Sequence, residues 1–492
     1  MSAAPVFEAS PQVVVHGGGI AGLWILRELL GRGLDAMLVE SDELGAAQTV
    51  ASQGVIHGGV KYALNGVLTD SSEAIRGMPG RWSRALQGGG AVDLRGVGVL
   101  SDHQVLWSSA SITGRLTTFF ASRALSSRLS RVEAAALPEA FHHPGFKGSV
   151  YRIEEQVLDI PSVVSALATP VLPRILRVRG VEFSASGGAV RPAMFQTDQG
   201  AVAVRGARHG FAAGAGNEVL LQDCGLAGLP RTQRRPLHQV MVRLPRLPSL
   251  YGVCMGGGPK PLLVATTHRH SNGETVWYLG GELAESGVNR DPAAQIAAAR
   301  ERLDDLFPWM DWTGAQWATW RGDRAEPARD DGARAPGAVA VRTGNVITAW
   351  PSKLALAPTW PIRWLTASAD LAPPPLKPPF PISCPPGHRP PAVGDGGVCG
   401  GMRLDGVELG KASPSPFVAG RQLRPLVPQV QSRRRDPGRR KRWLRAPPIW
   451  CGGKAAPGGD EAPPSAALAR RVGGADFQAA AGGGGLPPWA LA

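Results

Sequence analysis

The chain has 492 residues, 43% of them apolar, and 53 Lys and Arg against 39 Asp and Glu give it a formal net charge of +14. That is enough chain for two or three domains with buried cores, and too apolar for wholesale disorder. Its five cysteines (Cys224, Cys254, Cys384, Cys399, Cys451) show neither metal-ligand spacing nor a paired framework, which excludes a disulfide scaffold and suits a reducing, cytoplasmic setting.

The first residues, MSAAPVFEAS, lack the basic and apolar regions of a secretory leader. Residues 12–16 (QVVVH) predict a short buried strand, broken by Gly17, Gly18 and Gly19. A helix is expected from about Ile20 to Gly31, with Leu23, Leu26, Leu29 and Leu30 at helical spacing, and a second strand over 36–40 (AMLVE). Strand, glycine loop, helix and strand within about 30 residues is the βαβ pattern.

Gly17-x-Gly19-x-x-Gly22 opens that helix. Gly17 permits the tight turn, Gly19 lets backbone approach a diphosphate, and Gly22 lets helix pack on strand. The bare amides of Ile20, Ala21 and Gly22 and the helix dipole favour an anion there. Glu40 ends the second strand about 18 residues after Gly22, where an acid accepts hydrogen bonds from a ribose. A glycine turn alone is common; the strand before, the helix after and the acid beyond make this one a dinucleotide site. The loop does not choose between FAD and NAD.

Further along, residues 71–140 predict mixed helices and short strands, and residues 174–216 consecutive strands. Strands are expected again over 236–283, and an Ala-rich helix over about Pro292–Leu306. No apolar run approaches the roughly 18–20 residues that cross a bilayer. His238 and His268 read as interior histidines, and the cluster of Trp309, Trp312, Trp317 and Trp320 as packing.

Residues 45–62 read GAAQTVASQGVIHGGVKY. Here the sequence resembles the D-amino-acid oxidase superfamily of FAD-dependent oxidoreductases, and within it the glycerol-3-phosphate and L-2-hydroxyglutarate dehydrogenases. The resemblance implies that Gln48, Thr49, Ser52, Gln53 and Gly54 run along the diphosphate towards the flavin. Three later stretches fit it: Ala212–Gly216 with Gly214 as a second turn under the FAD, Asp323–Pro327, and Gly344–Leu354 with Lys353 and Leu354 beside the flavin pyrimidine. Where the superfamily has a glycine-rich turn, this chain has Trp350-Pro351-Ser352-Lys353.

The implied fold class is α/β, with a Rossmann-type FAD-binding domain and a second, β-rich substrate domain. The FAD-binding domain is expected from 10–80, 150–225 and 315–360, and the substrate domain from 81–149 and 226–314. The implied reaction passes a hydride from a small hydroxy acid, polyol phosphate or amino acid to flavin N5, with oxygen or a quinone-type carrier as electron acceptor. His57 is the candidate base, or a structural hydrogen-bonder; covalent attachment of FAD through it is a lesser alternative. Lys61 is a candidate anion holder, and Arg324 is suited to clamp a carboxylate or else to pair with Asp323 or Glu326. Lys353 is placed to stabilise the reduced flavin. No metal site is expected.

The composition changes near residue 360. Residues 361–492 hold about 23 of the 44 prolines and about 18 Lys and Arg against 8 acids, so the basic excess belongs to this tail. It reads as low-complexity and disordered, or as out-of-frame translation of a GC-rich gene. The run Arg433–Arg435 with Arg439–Arg442 reads as solvated, so no nucleic-acid partner is expected, while peripheral membrane contact stays open. Two rival readings remain: a truncated, inactive chain that holds FAD poorly, and a nicotinamide-dependent dehydrogenase.

Overall fold

Three valines begin the central sheet. Val13–His16 forms the first parallel strand and is buried on both faces, as a parallel strand between two layers must be. Because side chains alternate, Val13 and Val15 face the helix layer and Val14 faces a second sheet. The computed structural model describes residues 7–59, 74–90, 92–108, 129–186, 189–256, 260–270 and 273–359. The tail expected at 361–492 lies outside the described residues, and so does Lys61.

The central sheet has six strands in the order 339–343, 346–350, 208–211, 13–16, 36–40 and 175–177; all are parallel except the first. A four-stranded sheet (7–9, 200–204, 189–197, 180–186) covers one face, with Phe195, Val202 and Val204 packed on Val14, Met37 and Val39. The buried rings of His16 and His209 meet at this junction, with His16 Nε2 3.1 Å from His209 Nδ1.

The helix Ile20–Gly31 lies on the other face. Its expected one-sided burial is replaced by burial of Ile20 through Leu26 and of Leu29. The cause is a second layer outside it: Ile160–Ala168 and the turn Leu354–Thr359 pack against it, and Trp82 meets Trp24 at 4.9 Å between ring centroids. Met78–Leu86, which carries Trp82, therefore packs with the layers of the six-stranded sheet, whereas the second domain is expected to begin at residue 81. Trp82 Nε1 donates to Ala355 O at 3.0 Å and joins it to the last turn.

The second body is an eight-stranded sheet in the order 316–327, 232–243, 275–280, 261–269, 252–255, 104–108, 149–153, 129–131. Its pairings are antiparallel except that of 252–255 with 104–108. Helix Pro292–Leu306 covers one face over Trp107, Phe307, Trp277 and Trp317. Asp291 caps this helix, accepting from Ala294 N at 2.8 Å. Two strands lie outside the expected boundaries. Residues 149–153 pair with 104–108, and residues 316–327 pair along all twelve positions with 232–243. Alternation marks a strand but not the sheet it joins.

Candidate functional site

One cleft of about 1410 Å³ runs from the glycine loop to the eight-stranded sheet. Gly17, Gly19, Ile20, Ala21 and Glu40 line one end, and Gln239, Lys260, Glu285 and Arg324 the other. It opens at the carboxyl ends of the parallel strands, where a doubly wound sheet binds ligands.

The glycine loop is tight by contact. Gly17 has φ +108°, and a Cβ there would lie 2.6 Å from Ala213 Cα. A Cβ on Gly22 would lie 1.9 Å from Gly17 O, so only hydrogen allows the helix to start this close to the strand. The first amides of a helix have no intrahelical acceptor. That of Ile20 is not bare as expected: Thr49 Oγ1 accepts from it at 3.0 Å. Those of Ala21 and Gly22 find no acceptor among the described residues. Thr49 thus works as an internal cap, and the anion-binding capacity rests on the following amides. Glu40 accepts from the backbone amides of Gly18, Ser41 (2.7 Å) and Asp42 (2.9 Å), which fixes its carboxylate at the rim of the cleft. A diphosphate on the helix start and a ribose beside Glu40 fit this donor and acceptor set.

The segment 45–57 continues the lining. Gly45 N donates to Gly18 O at 3.0 Å and starts it beside the loop. Gln48 Oε1 accepts from Ala325 N at 3.1 Å. Gln53 also lines the cleft, and its Nε2 donates to Tyr278 O (2.8 Å) and Val264 O (3.2 Å), so it fastens the segment to the eight-stranded sheet. Tyr278 Oη lies within reach of Ala51 O (2.8 Å) and the Gln239 side chain (2.6 Å), and burial pushes its phenol upward. Gly214, at φ +58°, and Ser52, Gly54 and Leu354 also line the cleft. Fully buried Asn217 accepts from Ala213 N (2.8 Å) and donates to Ala349 O (3.1 Å), tying this turn to the strand 346–350.

At the far end Arg324 pairs with Glu285 at 3.2 Å, not with Asp323 or Glu326. Asp323 pairs with Arg234, and Glu326 is taken by Arg235 and Arg334. Lys260 also reaches Glu285, at 2.9 Å. Burial works to raise the Glu285 carboxyl, but Lys260 and Arg324 outweigh it and hold it below its ordinary range. Arg324 Nε is buried and has no hydrogen-bond partner among the described residues, while the rest of the guanidinium reaches the cleft. Lys353 lies in the lining just after Ser352, whose φ of +54° is left-handed. The expected final helix is a 3-10 turn, Leu354–Thr359, with Pro358 inside it. His57 lines the cleft, and its Nδ1 lies 3.0 Å from Glu155.

His238 and His268 are buried, with His238 Nδ1 2.9 Å from Gly287 O and His268 Nε2 3.0 Å from Thr266 Oγ1. Trp317 is core, while Trp320 also lines the cleft.

Residues 12–350 match the family model described as DAO, FAD dependent oxidoreductase. The chain belongs to this family of FAD-dependent oxidoreductases. FAD, rather than a nicotinamide, is therefore its cofactor. The chain is 46% identical over 355 residues to a probable FAD-dependent oxidoreductase of Pseudomonas aeruginosa, covering 72% of this chain and 90% of that one. The crystal structure of an FAD-dependent oxidoreductase from the same organism superposes with a TM-score of 0.64 at 41% identity, covering 74% and 91% of the two chains. Glycine oxidase of Geobacillus kaustophilus shares the fold at 16% identity, with a TM-score of 0.54 over 74% of this chain and 95% of that one. A shorter match, 42% identical over 59 residues, joins 12% of this chain to 12% of a glycerol-3-phosphate dehydrogenase of Pseudomonas tolaasii. No described helix is long and apolar enough to cross a membrane.

Proposed function

We propose that this oxidoreductase removes a hydride from a small anionic substrate, namely a hydroxy acid, a polyol phosphate or an amino acid. The carrying observation is one continuous cleft whose lining includes the glycine loop, His57 and Arg324. Bound FAD would supply the hydride acceptor at N5, with oxygen or a quinone-type carrier as the electron acceptor.

The chain's own residues would divide the remaining work. The amides of Ala21 and Gly22 hold the diphosphate and Glu40 the ribose. Gly54 and the backbone around it carry His57 towards the reacting carbon. Arg324 takes the anionic group of the substrate in competition with Glu285, and its planar fork suits a carboxylate or phosphate. His57 receives the proton released from the substrate hydroxyl or amine. Lys353, buried at the lining, balances negative charge gained on reduction. In this reading the six-stranded and four-stranded layers bind the cofactor and the eight-stranded sheet selects the substrate. A cytoplasmic setting is favoured by the free, buried Cys224 and Cys254.

Ser352, left-handed where the resemblance places a glycine-rich turn, favours one rival: a chain that holds FAD weakly and does not turn over. A flavin spectrum separates the two, followed by anaerobic mixing with 2-hydroxy acids, amino acids and glycerol phosphate. Bleaching by one of them supports the enzyme. A colourless protein that stays colourless with added FAD supports the rival.

A further inference from the structure

Glu155 follows the exposed Glu154 directly after strand 149–153, yet it is 2% exposed. Burying a carboxylate is costly unless its oxygens are satisfied. Here Oε1 accepts from Gly58 N at 2.7 Å, and Oε2 lies 3.0 Å from His57 Nδ1. The carboxylate is not needed to place residues 54–56, which lead into His57. Leu158 N donates to Gly54 O at 2.9 Å, Ile56 N donates to Gln156 O at 2.9 Å, and Val55 bridges Val157. Gly54, at φ +75°, has no room for a Cβ, which would lie 2.2 Å from Leu158 O. The backbone ladder therefore fixes residues 54–56 by itself.

What a carboxylate adds is tautomer control. It only accepts hydrogen bonds, so a ring nitrogen beside it must carry a proton. A glutamine in its place, with its oxygen on Gly58 N, would turn its NH₂ towards Nδ1 and demand the opposite tautomer.

We propose that Glu155 is the positioning residue of the proton transfer: it holds His57 as the Nδ1–H tautomer and leaves Nε2 as the proton acceptor. The inference rests on the reading of His57 as base and adds the group that makes it one. The substrate O–H or N–H bond breaks and its proton goes to Nε2. The electron pair left behind forms the C=O or C=N bond as the hydride departs to FAD. Glu155 stays ionised and stabilises the imidazolium.

The test uses the FAD-loaded full chain with ¹³C,¹⁵N-labelled histidine, comparing wild type, Glu155→Gln and Glu155→Asp, with His57→Gln assigning the resonance. Nitrogen shifts should show Nδ1–H in the neutral wild type. In Glu155→Gln the tautomer should switch and the titration midpoint of His57 should fall by about one pH unit or more, because a neighbouring negative charge is gone. With the acid or amine that bleaches the wild type, kcat should fall about 100-fold in Glu155→Gln, with recovery in Glu155→Asp. An Nε2–H tautomer in the wild type overturns the proposal, as does an unmoved midpoint in a Glu155→Gln protein that retains FAD. If that variant loses FAD, the wild-type tautomer decides alone. Undiminished turnover by His57→Gln refutes the base reading itself, whatever the tautomer, and the catalytic role of Glu155 with it.

Discussion

Adding one carbon at Gly22 should separate helix from strand. A Cβ there would sit 1.9 Å from Gly17 O, against a floor of 3.0 Å for real contacts, and the obstacle is backbone. The start of helix Ile20–Gly31 must therefore withdraw by about 1.1 Å, an overpacking that typically costs about 1–3 kcal/mol. Alanine's better helix propensity returns up to about 1 kcal/mol, leaving a net loss of about 1 kcal/mol from a central cost of about 2. In a chain of this size that lowers Tm by roughly 2 °C. The flavin should suffer more, because the amides of Ala21 and Gly22 move with the helix. Losing one charge-assisted hydrogen bond of about 1.5–3 kcal/mol weakens FAD by about ten- to a hundredfold. The assay is thermal melting together with FAD titration of the apoprotein. Gly80→Ala is the control, since nothing lies within 4 Å of its added carbon and it sits in helix Met78–Leu86. It should leave FAD binding alone and raise Tm slightly. If Gly22→Ala behaves like Gly80→Ala, the close helix–strand contact does not shape the cofactor site.

Asn217→Ala should lower stability by about 1–3 kcal/mol for buried Ala349 O and by less for part-buried Ala213 N, the two partners it abandons, and thermal melting would reveal no change if the bridge were idle. Arg324→Lys keeps the charge but not the fork. It should raise KM for the anionic substrate about tenfold or more with kcat less affected, and an unchanged KM in steady-state kinetics would remove Arg324 from substrate binding. Stability should also fall in acid. Burial lowers His16 well below its ordinary value, helped by His209, and burial lowers His209 and His268 to about 4. The unfolded chain takes up these protons near pH 6.5 and the folded one does not, so stability is full above about 6.5 and is lost as pH falls towards 4. His209→Gln should flatten the dependence of Tm on pH across that window; an unaltered slope would exclude the pair as its source.

The βαβ unit at the start of the chain was legible because its determinants are local. The valines, the glycine spacing, the helix Ile20–Gly31 and Glu40 lie within about 30 residues, and each constrains backbone within a few positions of itself. The rest depends on partners far away in sequence. Strand 316–327 (QWATWRGDRAEP) shows no sustained alternation, and only its twelve-residue register with 232–243 assigns it to the eight-stranded sheet. Gln53 has a polar side chain suited to a cofactor, but the carbonyls of Val264 and Tyr278 claim it. Glu154 and Glu155 are neighbours of identical chemistry. What separates them is that one meets solvent and Arg152 while the other meets Gly58 and His57. A faint signal existed: residues 149–153 form a strand almost wholly buried, so an acid just past its end needed a partner.

FAD retention depends on a diphosphate docking at the start of the first helix, and the FAD-to-chain ratio of purified protein measures this directly. In the wild type the ratio should be about one FAD per chain, as a single dinucleotide site requires. In Gly19→Val, whose Cβ already stands 3.1 Å from Thr49 Oγ1, it should fall close to zero in a protein that still melts cooperatively. A folded Gly19→Val chain that carried as much FAD as the wild type would contradict it.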